Sequence, residues 1–171
     1  MEPLQQKQNI RFRINATYYE VEESLFSGME EGVGQETGGW YGKAETTPEP
    51  EKMEILSEGV LCEGAERVEL SYDEGELTGM EGAQTSIYFR REEPGIVSMS
   101  RGGTISTTMV FEQGKRYHCV YKTPYMPFEV CVRTLKVRND LLTEGRLYLD
   151  YVIEIRGAKA ERTKLLLKIL P

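Results

Sequence analysis

Histidine and cysteine, on which most metal and nucleophilic sites depend, are scarce in this sequence of 171 residues. His118 is the single histidine, which excludes zinc sites and catalytic arrangements that need two imidazoles. The three cysteines, Cys62, Cys119 and Cys131, are an odd number at long spacings, which matches neither a disulfide framework nor a zinc motif. We therefore expect free thiols, no bound metal and no cofactor.

Long apolar runs are also missing. No stretch of 18 apolar residues occurs, so the sequence contains no segment typical of a membrane-spanning helix. The first ten residues hold neither the apolar core nor the small-residue cleavage site of a secretory signal. We therefore expect a cytoplasmic protein that has no membrane partner.

Complete catalytic and nucleotide-binding motifs are absent as well. Gly32 and Gly34 lack the third glycine of a dinucleotide fingerprint, and no G-x-S-x-G elbow occurs. The adjacent carboxylates of Asp73 and Glu74 lie beside a glycine. We interpret them as solvated turn residues, because neighbouring strand residues point to opposite faces and cannot share a substrate. An enzyme is therefore the function that the sequence supports least.

Charge is unevenly distributed along a chain whose net charge is −7. Residues 1–82 contain 19 acidic and 6 basic side chains, whereas residues 83–171 contain 9 and 15. Residues 22–50 combine seven Glu with six Gly and two Pro. This composition buries little apolar surface and predicts a long, flexible, acidic insertion after the first strand. Its large aromatic residues, Trp40 and Tyr41, either pack back onto the domain or anchor a partner.

Size and composition predict one globular domain over residues 1–171. A group of basic residues falls on neighbouring strands and would form a stripe: Arg133, Lys136, Arg138 and Arg146. Because the sequence pI is near 5.0, we interpret the stripe as a solvated sheet face and expect no nucleic-acid partner. The oppositely charged halves, and edge strands beside the insertion, predict a weak homodimer.

Outside the insertion, apolar and polar residues alternate with a period of two between regularly spaced turn residues, a pattern typical of short antiparallel strands. Closing such a sheet into a barrel removes its two edges. We therefore predict an all-β protein with a single up-and-down antiparallel β-barrel of about 8 to 10 strands. His118 alternates with Tyr117 and Cys119 and is predicted to face outward. Residues 160–170 are predicted as the last strand, although their good helix formers leave a helix open there.

A series of short motifs carries a family resemblance. The motifs are VELSYDE (68–74), TSI (85–87), RGG (101–103), MVFEQG (109–114), YKTP (121–124) and GRLYLDY (145–151). Their order and spacing, over about residues 52–157, resemble those of the YwiB-like family of uncharacterised bacterial proteins. The resemblance implies a calycin-type, lipocalin-like β-barrel and transfers no activity. The 22–50 insertion is longer than the family's usual first loop.

A barrel of this size has an interior that side chains either fill or leave open for one small ligand. The favoured interpretation is non-catalytic binding of a small, partly apolar or amphipathic anion. The alternative is a filled barrel that acts through its surface as an interaction or structural module. Arg101 lies at a strand end beside two glycines and is predicted to hold the anion, or else to form a structural salt bridge. The other predicted ligand-binding residues are Tyr72, Phe111, Tyr121, Thr123 and Tyr151.

The insertion's composition predicts that it is dispensable for folding. We expect that replacing residues 24–48 with a short Gly/Ser linker lowers the Tm by less than about 10 °C, because few apolar contacts are lost. Thermal unfolding of the two proteins measures this difference. A larger drop would mean that Trp40 and Tyr41 belong to the core.

Overall fold

The computed structural model describes residues 5–21, 49–75, 82–103, 105–155 and 160–171. Of the predicted insertion, only residues 49 and 50 are among them. Trp40 and Tyr41 lie outside the described residues, so the expectations for the insertion stay predictions.

Ten antiparallel strands form a single sheet, in the order β6-β5-β4-β3-β2-β1-β10-β9-β8-β7. The strands are β1 (Gln6–Val21), β2 (Glu51–Glu63), β3 (Arg67–Asp73), β4 (Gln84–Arg90), β5 (Glu93–Gly102), β6 (Thr107–Glu112), β7 (Arg116–Tyr121), β8 (Phe128–Asp140), β9 (Arg146–Ile155) and β10 (Ala160–Leu170). One helical turn, α1 (Leu141–Glu144), joins β8 to β9. In the described ranges, no helix has the length and apolarity to cross a membrane. The predicted all-β, up-and-down architecture is confirmed.

The meander closes into a nearly complete barrel through one pairing between the first and last strands of the chain and through contacts between the two ends of the sheet. β1 pairs with β10, so that Ile14 lies opposite Leu167. The outermost strands meet at Ser106 and Lys122, whose backbone groups exchange hydrogen bonds of 3.0 and 2.9 Å. At the other end, the turn between β6 and β7 is hydrogen-bonded to the backbone of Thr134 on β8. These contacts tie the two outermost strands of the sheet together.

The last predicted element is a strand and not a helix. Thr163, Leu165 and Leu167 are buried at alternate positions, which is the period of a strand. β10 pairs with β1 on one side and β9 on the other, so its backbone groups are used by two ladders. Tertiary pairing therefore overrides the helix propensity of its Ala, Glu, Lys and Leu residues.

Two rows of apolar side chains fill one end of the barrel. Cross-strand register aligns the first row as Leu70, Ile87, Met99 and Met109, and the second as Val68, Phe89, Val97 and Phe111. The facing wall adds further buried side chains, among them Phe12, Ile14, Leu147, Leu149, Leu165 and Leu167. Burial of this apolar surface contributes roughly 25 cal/mol per Å² and is the main source of stability. We call this end, which also holds Gln6 and Leu170, the filled end.

The opposite end of the barrel carries five of the connections. In an up-and-down sheet successive connections alternate between the two ends, which places the β1–β2, β3–β4, β5–β6, β7–β8 and β9–β10 connections together. We call this the loop end. Insertions at this end change connections without changing the strands that form the filled end.

β2 and β3 separate at Gly59. Their pairing covers residues 60–63 opposite residues 68–71 and stops there. A Cβ atom on Gly59 would lie 2.7 Å from the carbonyl oxygen of Ser71 and 3.0 Å from the ring of Phe12. Glycine therefore allows a close backbone approach at the point where β2 leaves β3 and continues beside β1.

This approach predicts that Gly59→Ala destabilises the protein by about 1–3 kcal/mol, because the added methyl group overpacks the crossing. Gly95→Ala is the matched control, because a Cβ atom there meets nothing within 4 Å. We expect the control to change the free energy of unfolding by less than about 0.5 kcal/mol. Urea unfolding measures both values, and equal effects would contradict the close approach.

Candidate functional site

The inward-facing side chains become polar next to the apolar rows, at the loop end. Across β3, β4, β5 and β6 the register aligns Tyr72, Thr85, Arg101 and Thr107. Across β1, β10, β9 and β8 it aligns Tyr18, Thr163, Tyr151 and Thr134. We call these eight residues, together with Glu74, the polar layer. The layer places titratable and hydroxyl groups inside a barrel whose other end is apolar.

Glu74 and Arg101 form a buried ion pair in this layer. The Glu74 side chain is only 2% exposed, and its Oε1 lies 3.5 Å from Nη2 of Arg101. Oε1 also accepts a 2.6 Å hydrogen bond from the Thr85 hydroxyl, which itself accepts one of 3.3 Å from Nε of Arg101. The interpretation of Glu74 as a solvated turn residue is therefore wrong. Its backbone N–H is hydrogen-bonded to Ala83, which draws the residue inward beyond the end of β3.

The guanidinium group of Arg101 is only partly used by these contacts. Its side chain is 20% exposed. Nε donates to Thr85, and Nη2 faces Glu74 and the sulfur of Met99 at 4.0 Å. Within the described part of the chain, Nη1 makes no hydrogen bond. A guanidinium can donate five hydrogen bonds, so Arg101 has donors left for an anion.

The buried tyrosines of the layer are neutral hydroxyl groups. Burial raises the pKa of Tyr72, and the carboxylate of Glu74 raises it further. Burial also raises the pKa of Tyr151, and the nearby Tyr18 raises it further. The rings rest on the apolar core, with centroid distances of 5.0 Å from Tyr72 to Phe12 and 4.6 Å from Tyr151 to Phe111. Both tyrosines therefore stay protonated and present fixed hydrogen-bonding groups, and neither acts as a base.

Among the buried threonine hydroxyls of the layer, that of Thr134 has no hydrogen-bond partner among the described residues, whereas Thr163 interacts with the Tyr151 hydroxyl and Thr107 with the Cys119 thiol. Buried polar groups in folded proteins are nearly always hydrogen-bonded, so each exception needs an explanation. Thr134 lies on β8, opposite Tyr151 of β9. Its hydroxyl is a group that a bound polar ligand or water would satisfy.

The structure brings together most of the predicted ligand-binding residues. Tyr72, Arg101 and Tyr151 belong to the polar layer, and Phe111 supports the Tyr151 ring. The Tyr121 hydroxyl lies 3.6 Å from the sulfur of Met109, an inward residue of the row beneath. The aromatic residues among these were predicted from the alternation of their strands, and Arg101 from its place at a strand end beside two glycines.

Thr123 is the predicted ligand-binding residue that lies away from the polar layer. It lies in the β7–β8 connection, where its hydroxyl donates to the carbonyl oxygen of Met126 at 2.7 Å. The same hydroxyl accepts from the backbone N–H groups of Tyr125 and Met126. Thr123 therefore stabilises a local turn.

Sequence reasoning missed Glu74 as a site residue. The Asp73-Glu74-Gly75 sequence has the composition of a turn, and only the tertiary contact with Arg101 distinguishes it. Tyr18, Thr134 and Thr163 were also left out of the predicted site. Period-two alternation places all three inward and was the available signal.

Three carboxylates line one side of the entrance to the barrel at the loop end. Glu20 lies opposite Glu161, two residues beyond the Tyr18–Thr163 pair on the same face, and Glu51 lies opposite Tyr18. Burial raises the pKa of Glu161, and the charges of Glu51 and Glu20 raise it further. The described residues contain no group of His, Cys, Asp and Glu side chains that would hold a metal ion. The entrance is therefore acidic, in contrast to the guanidinium inside.

The outer face of the barrel carries the remaining predicted features. Arg138 and Arg146 of the basic stripe pair with Asp140 at 2.9 Å and Glu144 at 2.6 Å. His118 is exposed on this face, which confirms its predicted direction. All three cysteines are free thiols, as expected from their spacing.

Comparisons with known proteins agree with this fold. A family model described as "Domain of unknown function (DUF1934)" matches residues 41–167. Among solved structures, the ywiB protein from Bacillus subtilis is similar, with a TM-score of 0.67 and 17% identity over 96% of this chain and 94% of that one. These two findings confirm the resemblance to the YwiB-like family. A search among curated proteins gives no match.

The acidic entrance predicts a pH-dependent gain in stability from Glu161→Gln. Because the folded-state pKa of Glu161 is raised, its ionised carboxylate destabilises the folded protein. Stability is therefore unaffected at low pH, where Glu161 is protonated, and falls as the pH rises above about 4.5. Glu161→Gln should therefore raise the Tm at pH 7.5 by about 1–2 °C and leave it nearly unchanged at pH 4. Glu129→Gln, at an exposed position of β8, is the control. An equal gain at both pH values would contradict the repulsion.

Proposed function

Because this chain belongs to the DUF1934 family, whose description assigns no activity, we propose its function from the barrel: non-catalytic binding of a small, partly apolar anion at the polar layer. The observation that carries the proposal is Arg101. Its guanidinium lies inside the barrel, in the same layer as the Thr134 hydroxyl, and it has a donor group that no described residue uses.

The layer offers both kinds of contact that such a ligand needs. A carboxylate or phosphate oxygen would accept hydrogen bonds from Nη1 of Arg101 and from the hydroxyls of the layer. The aromatic rings of Tyr72 and Tyr151, resting on Phe12 and Phe111, would pack against its apolar part. Glu74 holds the guanidinium through Nη2, which leaves the other side of the group for the ligand.

Charge narrows the class of anion. Glu20, Glu51 and Glu161 at the entrance repel highly charged ligands, whereas a single negative charge is compensated by Arg101. A monoanion with an apolar tail, such as a fatty acid or an acyl phosphate, fits this balance better than a polyphosphate.

Three free thiols are also in keeping with a reducing compartment, and we propose that the protein is cytoplasmic.

A filled barrel acting through its surface is the second candidate. The observation in its favour is the ion pair between Glu74 and Arg101, which joins the ends of β3 and β5 without any ligand. In that case the polar layer would be structural. Removing one partner of a buried ion pair typically costs about 3–5 kcal/mol, so stability alone would not separate the two functions.

Binding experiments with two opposite substitutions separate them. We expect that Arg101→Lys weakens anion binding about tenfold, because the planar set of donors is lost while the charge is kept. Glu74→Gln should strengthen binding, because it removes the carboxylate that competes for the same guanidinium. Arg133→Lys, on the outer face, is the control and should leave affinity unchanged.

Native mass spectrometry of freshly purified protein comes first, followed by thermal shifts with fatty acids, acyl phosphates and nucleotides. Calorimetric titration of the best anion then gives the affinities of the variants. If nothing co-purifies, no anion raises the Tm and Glu74→Gln gains no affinity, the filled barrel is the better description.

A further inference from the structure

Among the described strands, part of β2 has a neighbour on one side only. Residues 51–59 pair with β1, whereas the pairing of β2 with β3 is confined to residues 60–63. Of the strands that the structure describes, none lies on the other side of residues 51–59. We call this stretch the β2 edge.

The β2 edge borders an opening in the barrel wall. A cavity of about 450 Å³ lies where the strands diverge, lined by Gly59 and Val60 from β2 and by Ser71, Tyr72 and Asp73 from β3, with neighbouring side chains of β1 and β4. Backbone N–H and C=O groups along such an edge have no ladder partner, and they form a template for another strand.

The outer face of the β2 edge is suited to contact. Leu56 is 62% exposed there and offers apolar surface that a second strand would cover. Lys52, Glu54 and Glu58 share this face with it, since they alternate with the inward residues. The edge therefore combines an apolar centre with charges of both signs.

We infer that two copies of this chain pair through their β2 edges, antiparallel, about a two-fold axis at Ile55. In an isologous pair, the register is defined by the residue that lies opposite its own copy. Ile55 is the centre of residues 51–59, so this register alone uses the whole free edge. It needs no residue of the polar layer and is independent of the proposed ligand.

Charge favours this register over the two adjacent ones. With Ile55 on the axis, each Lys52 lies opposite Glu58 of the other copy, and two opposite-charge pairs form. With Leu56 on the axis, Glu54 would lie opposite Glu58 twice, and with Glu54 on the axis it would lie opposite itself. Directly opposed like charges destabilise a sheet, whereas opposed unlike charges stabilise it.

Apolar contact follows from this arrangement. Each Leu56 lies opposite Glu54 of the other copy and diagonal to the other Leu56. Diagonal neighbours in a sheet remain within reach of long side chains. The exposed Leu56 side chains therefore cover each other near the axis, and both barrels continue as one sheet across it.

A charge-reversal series on the full chain tests the interface. Sedimentation velocity at low salt, over a range of protein concentrations, should show a dimer for the unaltered chain. Lys52→Glu should weaken dimerisation about tenfold, because both unlike-charge pairs become like-charge pairs. The double variant Lys52→Glu/Glu58→Lys should restore it. Lys168→Glu, exposed on β10, is the control and should have no effect.

A cysteine substitution tests the register. Ile55→Cys should form an intermolecular disulfide under mild oxidation, identified by peptide mass, whereas Met53→Cys lies opposite Ser57 and should crosslink far less. A strict monomer at millimolar concentration overturns the proposal. So does a dimer insensitive to Lys52→Glu, and a double variant that fails to restore pairing overturns the register.

Discussion

The pairing of β1 with β10 is the contact on which the rest of the barrel depends. It joins residues 11–21 to residues 160–170, whereas the other ladders of the sheet join strands that follow one another in the chain. Pairing of distant segments has the largest loop-closure cost and is the slowest to form. It is also what brings Tyr18 and Thr163 to the wall that faces Arg101. Without it, the sheet would have no interior in which polar groups could interact at low dielectric.

The division between the two ends reflects the energetic difference between apolar and polar burial. Apolar rows at the filled end stabilise the fold in proportion to the area they remove from water. The polar layer opposes this, because a buried charge is tolerated only when it is paired and hydrogen-bonded. Arg101 meets that condition through Glu74 and Thr85, and its position near the loop end keeps part of its side chain in contact with solvent.

The strands were predictable from sequence because alternating apolar and polar residues show which face of a strand is buried. The inward positions of Tyr72 and Tyr151 followed from the same alternation, and Arg101 was predicted from its place at a strand end beside two glycines. Glu74 was not predictable, since its burial depends on a hydrogen bond to Ala83 and an ion pair from a different strand. The separation of β2 from β3 was equally unpredictable from the sequence. It depends on the space around Gly59, and a glycine in a strand has several explanations until its neighbours are known.

The two-residue repeat of the inward rows has a consequence for how such barrels diversify. Leu70, Ile87, Met99 and Met109 form the row immediately beneath the polar layer. Exchanging members of that row would change the packing beneath Arg101 without altering the outer surface or the row below. The surroundings of Arg101 and the apolar row that lies furthest from it can therefore change separately during evolution, because they reside in different layers of the same strands.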